Sequence, residues 1–102
     1  MTITPERLKK LAEHMGYRAK ILDGEVKLKA TYSYVREYNP LQNSDQCLEL
    51  MEKVILRHAY HIRGGLNDGE VHIRDKDYNL IAKGSSIKEA VTLAAIKYVE
   101  EL

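Results

Sequence analysis

The sequence predicts an α+β fold, an antiparallel sheet packed by three helices in the order α-β-β-α-β-β-β-α, and three observations carry that expectation. Residues 4–15, 44–55 and 86–102 repeat apolar side chains at helical spacing behind capping residues. Residues 18–35 and 55–84 instead alternate apolar and polar side chains, the period of a half-buried strand. Turn residues interrupt both alternating runs at short intervals, which favours hairpins over crossover connections. A chain of 102 residues, 44% hydrophobic and 30% charged, has the composition of one globular domain spanning 1–102.

Taken in order, Thr4 is placed to cap the first helix, Pro5 suits its first position and Gly16 follows its last turn. Leu8, Leu11, Ala12 and Met15 form its apolar stripe. Asp23-Gly24 then closes a hairpin whose two-residue loop fixes the register. Ile21 faces Val26 and Ala19 faces Leu28 on one side; Lys20 faces Lys27 and Arg18 faces Lys29 on the other. The second strand reads as running on to Val35, with Val26, Leu28, Ala30, Tyr32 and Tyr34 on one face. Asn39-Pro40 breaks that pattern, and Asn43 or Ser44 caps a helix with Cys47, Leu48, Met51 and Val54 or Ile55 on its apolar side. A second hairpin joins 55–63 to 69–75 through the glycine-containing 64–68, and 79–84 adds a third short strand. Ser86 and Glu89 have capping-box spacing at the start of the last helix, whose apolar face is Ile87, Ala90, Val91, Ala94, Tyr98 and Leu102.

The first hairpin raises the main question of function, because like charges directly across a strand pair repel. Arg18, Lys20, Lys27 and Lys29 put four cations on one face with no acid among them. The net charge is only +1, yet residues 1–36 hold eight Lys/Arg against four Asp/Glu while the remainder holds eight against eleven. An anion-facing surface is therefore expected in the first third, its partner an acidic protein or a nucleic acid. Tyr32 and Tyr34 follow the cluster and join it as candidate binding residues, since aromatic rings beside cations stack nucleobases. Alternation alone favours the other reading, in which both rings continue the inward face as core.

Other chemistry is harder to find. The chain has no nucleophile elbow, no phosphate-cradling glycine loop and no His-Glu-x-x-His pair, so no enzymatic activity is expected. Cys47, the single cysteine, falls on the apolar side of its helix, which suits an inert thiol in a reducing compartment. His58 and His61 point to opposite strand faces. His61 comes opposite His72 if Ile62 pairs with Val71, but no further ligand at a recurrent spacing completes a shell. No metal and no cofactor are expected. No window approaches a bilayer span and the first ten residues lack a signal-peptide apolar stretch, so a cytoplasmic protein without membrane contact is expected.

Two resemblances extend this reading. Residues 44–102 resemble a double-stranded-RNA-binding domain in topology, and "AKGSSIKEAVTLAAIKYVEEL" is similar to that family's closing strand and helix. Where the family opens this helix with Lys-Lys-x-Ala-Lys, the chain has Ile87-Lys88-Glu89-Ala90-Val91, so Lys88 is the one cation retained. This resemblance implies RNA binding. The second covers nearly the whole chain: Leu11-Ala12-Glu13 with Met15-Gly16-Tyr17, then Asn39-Pro40-Leu41 leading to Leu50-Met51-Glu52-Lys53, then Ala90 with Leu93-Ala94-Ala95. In that order these motifs resemble small bacteriophage and prophage proteins of the phage ABA sandwich type. What this implies is a phage-encoded accessory protein with no catalytic residues to carry over. The expected function is a non-catalytic binding module in the bacterial host's cytoplasm. Self-association through an exposed strand edge is the reading from another class.

Overall fold

Helix α1 runs from Pro5 to His14 because both of its ends are satisfied locally. Thr4 Oγ1 accepts a hydrogen bond from Arg7 N at 3.3 Å. At the other end Gly16, at φ +94°, lets Gly16 N donate to Glu13 O and Tyr17 N to Ala12 O, a glycine-terminated stop. The computed structural model describes residues 3–58, 61–64 and 69–102. It forms two compact units, residues up to Asn39 and residues from Pro40 onward.

In the first unit α1 packs on a three-stranded antiparallel sheet of β1 (Ala19–Leu22), β2 (Glu25–Ala30) and β3 (Ser33–Glu37). Asp23 and Gly24 both take positive φ, 51° and 77°, as a two-residue hairpin loop of the primed type demands. The pairs Ala19–Leu28, Lys20–Lys27 and Ile21–Val26 are those the turn predicts. Leu11, Ala12, Ala19, Val26 and Leu28 are buried.

The expected long second strand is a pair. The chain reverses at Thr31-Tyr32, Ala30 pairs with Ser33, and β3 returns beside β2. Tyr32, read from the alternation as inward-facing, therefore sits at the turn and is 94% exposed. Thr31 makes the reversal at φ +57°, a conformation that β-branched residues rarely adopt. Nothing in "ATYS" signals such a turn.

The second unit opens with Asn43, whose Oδ1 accepts from Gln46 N at 3.1 Å and caps α2 (Ser44–Leu50). The helix then widens into a π-helical turn, Met51–Ile55, closed by Leu56 N donating to Met51 O. Cys47, Leu50, Val54 and Ile55 are buried, whereas Leu48, expected on that side, is half exposed. Strands β4 (His61–Gly64), β5 (Val71–Arg74) and β6 (Leu80–Gly84) form the second antiparallel sheet. Helix α3 (Ile87–Glu100) starts at Ser86, whose Oγ accepts from Glu89 N at 3.1 Å; Glu89 reaches back to Ser85 N.

Helix α3 packs against β5 and β6 and also against α2 and its π turn, which makes it the middle layer of this unit. Seven consecutive residues, Ala90 to Ile96, are accordingly buried. Thr92 lies among them with its hydroxyl donating to Lys88 O at 2.7 Å. Ile87 and Leu102, expected on the apolar face, are 49% and 74% exposed because they flank this layer. The helix approaches β6 closely enough that a Cβ at Gly84 would lie 2.8 Å from Ala90 N. The α+β class and the antiparallel pairing thus follow the sequence. No helix among the described residues is long and apolar enough to cross a membrane.

Candidate anion-binding site

The first hairpin sorts its four cations into three situations. Lys27 is half-buried, and its ammonium lies 2.8 Å from Glu25 Oε2. Glu37 of β3 is its cross-strand partner. The hydrogen bond that Lys27 donates to Glu25, ahead of the charges of Glu25 and Glu37, raises the Lys27 pKa, and the same contact lowers that of Glu25. The expectation that no local acid answers the cluster is therefore corrected for this residue. Lys20, directly opposite Lys27, places its Nζ 4.8 Å above the Tyr34 ring.

Arg18 and Lys29 are different. Lys29 N donates to Arg18 O at 2.9 Å, which extends the hairpin ladder by one pair and holds the two side chains across from each other. Both are exposed, and among the described residues neither meets a carboxylate. With Gly16, Tyr17 and Thr31 they line an open concavity of about 320 Å³. The glycine that ends α1 and Thr31 of the β2–β3 turn both border it, so the fold places a polar dish at two exposed cations.

The aromatic candidates separate as well. Tyr34 is half-buried under Lys20, while Tyr32 projects from the turn into solvent. Tyr17 and Tyr38, by contrast, pack with ring centroids 6.0 Å apart. One answer to the basic cluster was legible in the sequence, since Glu25 stands two residues before Lys27 on one strand and so shares its face. The other, Glu37, depended on a third strand that the sequence hid.

The histidine pairing expected in the second hairpin does not form. Ile62 pairs with Ile73, two residues out from the expected register, so His61 faces Arg74 and Arg63 faces His72. His72 Nε2 instead meets Glu70 Oε2 at 3.1 Å. Among the described residues no cluster of three or more histidine, cysteine or acidic side chains is arranged to hold a metal ion. Cys47 is buried, and desolvation pushes its thiol pKa up, away from the thiolate a nucleophile requires. No protein-family model, curated protein or solved structure matches the chain.

Proposed function

We propose that this chain is a phage- or prophage-encoded accessory protein that works by binding rather than catalysis, and that its first hairpin engages an anionic group of a partner in the host cytoplasm. The observation that carries the reading is the cross-strand pair Arg18–Lys29, exposed, held by the ladder and unanswered by any described carboxylate beside an open polar concavity. Two cations held side by side without an acid raise the local potential well above that of a surface with scattered lysines. The phage origin rests on the three motifs around Leu11–Tyr17, Asn39–Leu41 and Leu50–Lys53 with the alanine-rich last helix.

Titration of the protein at low salt with polyglutamate, a labelled single-stranded oligonucleotide and duplex RNA separates an acidic protein partner from a nucleic acid. We expect Arg18→Glu with Lys29→Glu to abolish the binding that depends on this face. Lys27→Glu should weaken it less, because Glu25 already neutralises that ammonium. Conversely, Glu25→Gln should strengthen binding and leave stability nearly unchanged, as an ion pair open to solvent on its Glu25 side contributes little. Equal binding by wild type and the Arg18/Lys29 double variant for all three probes overturns the reading.

A further inference from the structure

A second cationic surface lies on the other sheet, in the unit from Pro40 onward, and does not depend on the hairpin. Antiparallel register puts Arg63, His72 and Lys83 in one row across β4, β5 and β6, and His61, Arg74 and the exposed Leu80 in the next. Ile62, Ile73 and Ala82 point to the opposite side, where α3 packs on β5 and β6. Arg63 and Lys83 are exposed, and neither forms an ion pair among the described residues. No carboxylate stands in either row. Glu70 accepts from His72 at the edge of this face, and Glu70 and Glu89 border an open concavity that Lys83 also lines, without an ion pair to it among the described residues.

The turn after β5 sets an aromatic ring on this surface. Tyr78 is 52% exposed and adopts φ +64°, a backbone conformation unusual for a bulky residue. It is held there from several directions. Asp75 Oδ1 accepts from the backbone N–H of Asp77 and Asn79 at 2.8 and 3.0 Å, and Tyr78 N donates to Asp75 O. Arg74 donates from Nη1 to Tyr78 O at 2.9 Å and from Nη2 to His72 Nδ1 at 3.3 Å, leaving the Nε2 proton of His72 for Glu70. The ring so fixed lies parallel to His61, with centroids 4.8 Å apart and planes 6° from each other, and the Arg63 guanidinium carbon is 5.0 Å from its centre.

We propose that this face binds single-stranded nucleic acid, with phosphates met by Arg63 and Lys83 and a base extending the His61–Tyr78 stack. An acidic peptide would use the charges but has no use for a parallel ring pair and a guanidinium plane held beside them. Nucleobases need both features, because each base offers a π-face and each nucleotide a phosphate. Strand spacing gives the Arg63–His72–Lys83 row a length of about 10 Å, which suits the two or three bases that sheet platforms stack. Arg74 acts as a positioning residue that clamps the Tyr78 carbonyl.

The test is fluorescence anisotropy with a short labelled oligothymidylate and its RNA counterpart at low salt, with unlabelled polyglutamate and duplex RNA as competitors. We expect Arg63→Glu with Lys83→Glu, or the milder glutamine pair, to weaken binding at least about tenfold, with a shallower salt dependence. Tyr78→Gly removes the ring while favouring the left-handed backbone, so it should keep or raise the melting temperature and still weaken binding about five- to a hundredfold. The proposal is overturned if the single strands do not bind, if polyglutamate or duplex RNA displaces them at equal concentration, or if Tyr78→Gly binds like wild type. It is equally overturned if only Arg18→Glu with Lys29→Glu reduces their binding, because that result assigns nucleic acid to the hairpin.

Discussion

Asp75 organises a turn with a single carboxylate. Two backbone N–H groups and the Asn79 side-chain amide donate to its oxygens, and the Asn79 N–H is the main cause of its lowered pKa. A carboxyl whose folded pKa lies below its unfolded value of about 3.9 adds stability that is complete well above that value. That stability is lost as pH falls through the lowered folded value. Asp75→Ala is therefore expected to reduce the urea midpoint at neutral pH, with a gap from wild type that closes as falling pH protonates the carboxylate. A gap that is constant with pH would show that the carboxylate charge plays no part. The sequence marks "DKDY" as a turn, but it gives no reason to place Tyr78 over a sheet, because that placement comes from a backbone angle and from Arg74, four residues earlier.

At the level of elements, legibility followed turn chemistry. Asp23-Gly24 carries the glycine that a primed two-residue loop needs, and the β1–β2 register follows from it pair by pair. Thr31-Tyr32 does the same work without glycine, so the alternation runs through an unmarked reversal and does not reveal β3. In the second sheet the loop length between β4 and β5 was open, and an error of two residues preserves which side chains face the core while changing every partner. Ile62 thus keeps its side of the sheet although its partner is Ile73 rather than Val71. Gly84 belongs to the same layer. A Cβ there would meet backbone rather than a mobile side-chain end, so Gly84→Ala is expected to destabilise the protein by about 1–3 kcal/mol, read as a fall in urea midpoint at unchanged slope.

Across the whole chain, a net charge of +1 conceals an uneven distribution of charge. Residues after 36 carry more acids than bases, yet Arg63, Arg74 and Lys83 gather on one sheet surface while acids such as Asp45, Glu52, Glu100 and Glu101 lie on or beside helices. Totals by segment located the first basic surface and missed the second, because a sheet collects side chains from strands ten or more residues apart. The single cysteine gives the molecule a built-in clock. Cys47 sits 4% exposed in α2, so a thiol reagent can reach it only when that helix opens. Labelling under native conditions is expected to be slow and to accelerate with urea, and its rate reports the opening of residues 40–102 alone. Set beside the global unfolding curve, that rate tells whether the two units rise and fall in stability together, with no label engineered into either cationic surface.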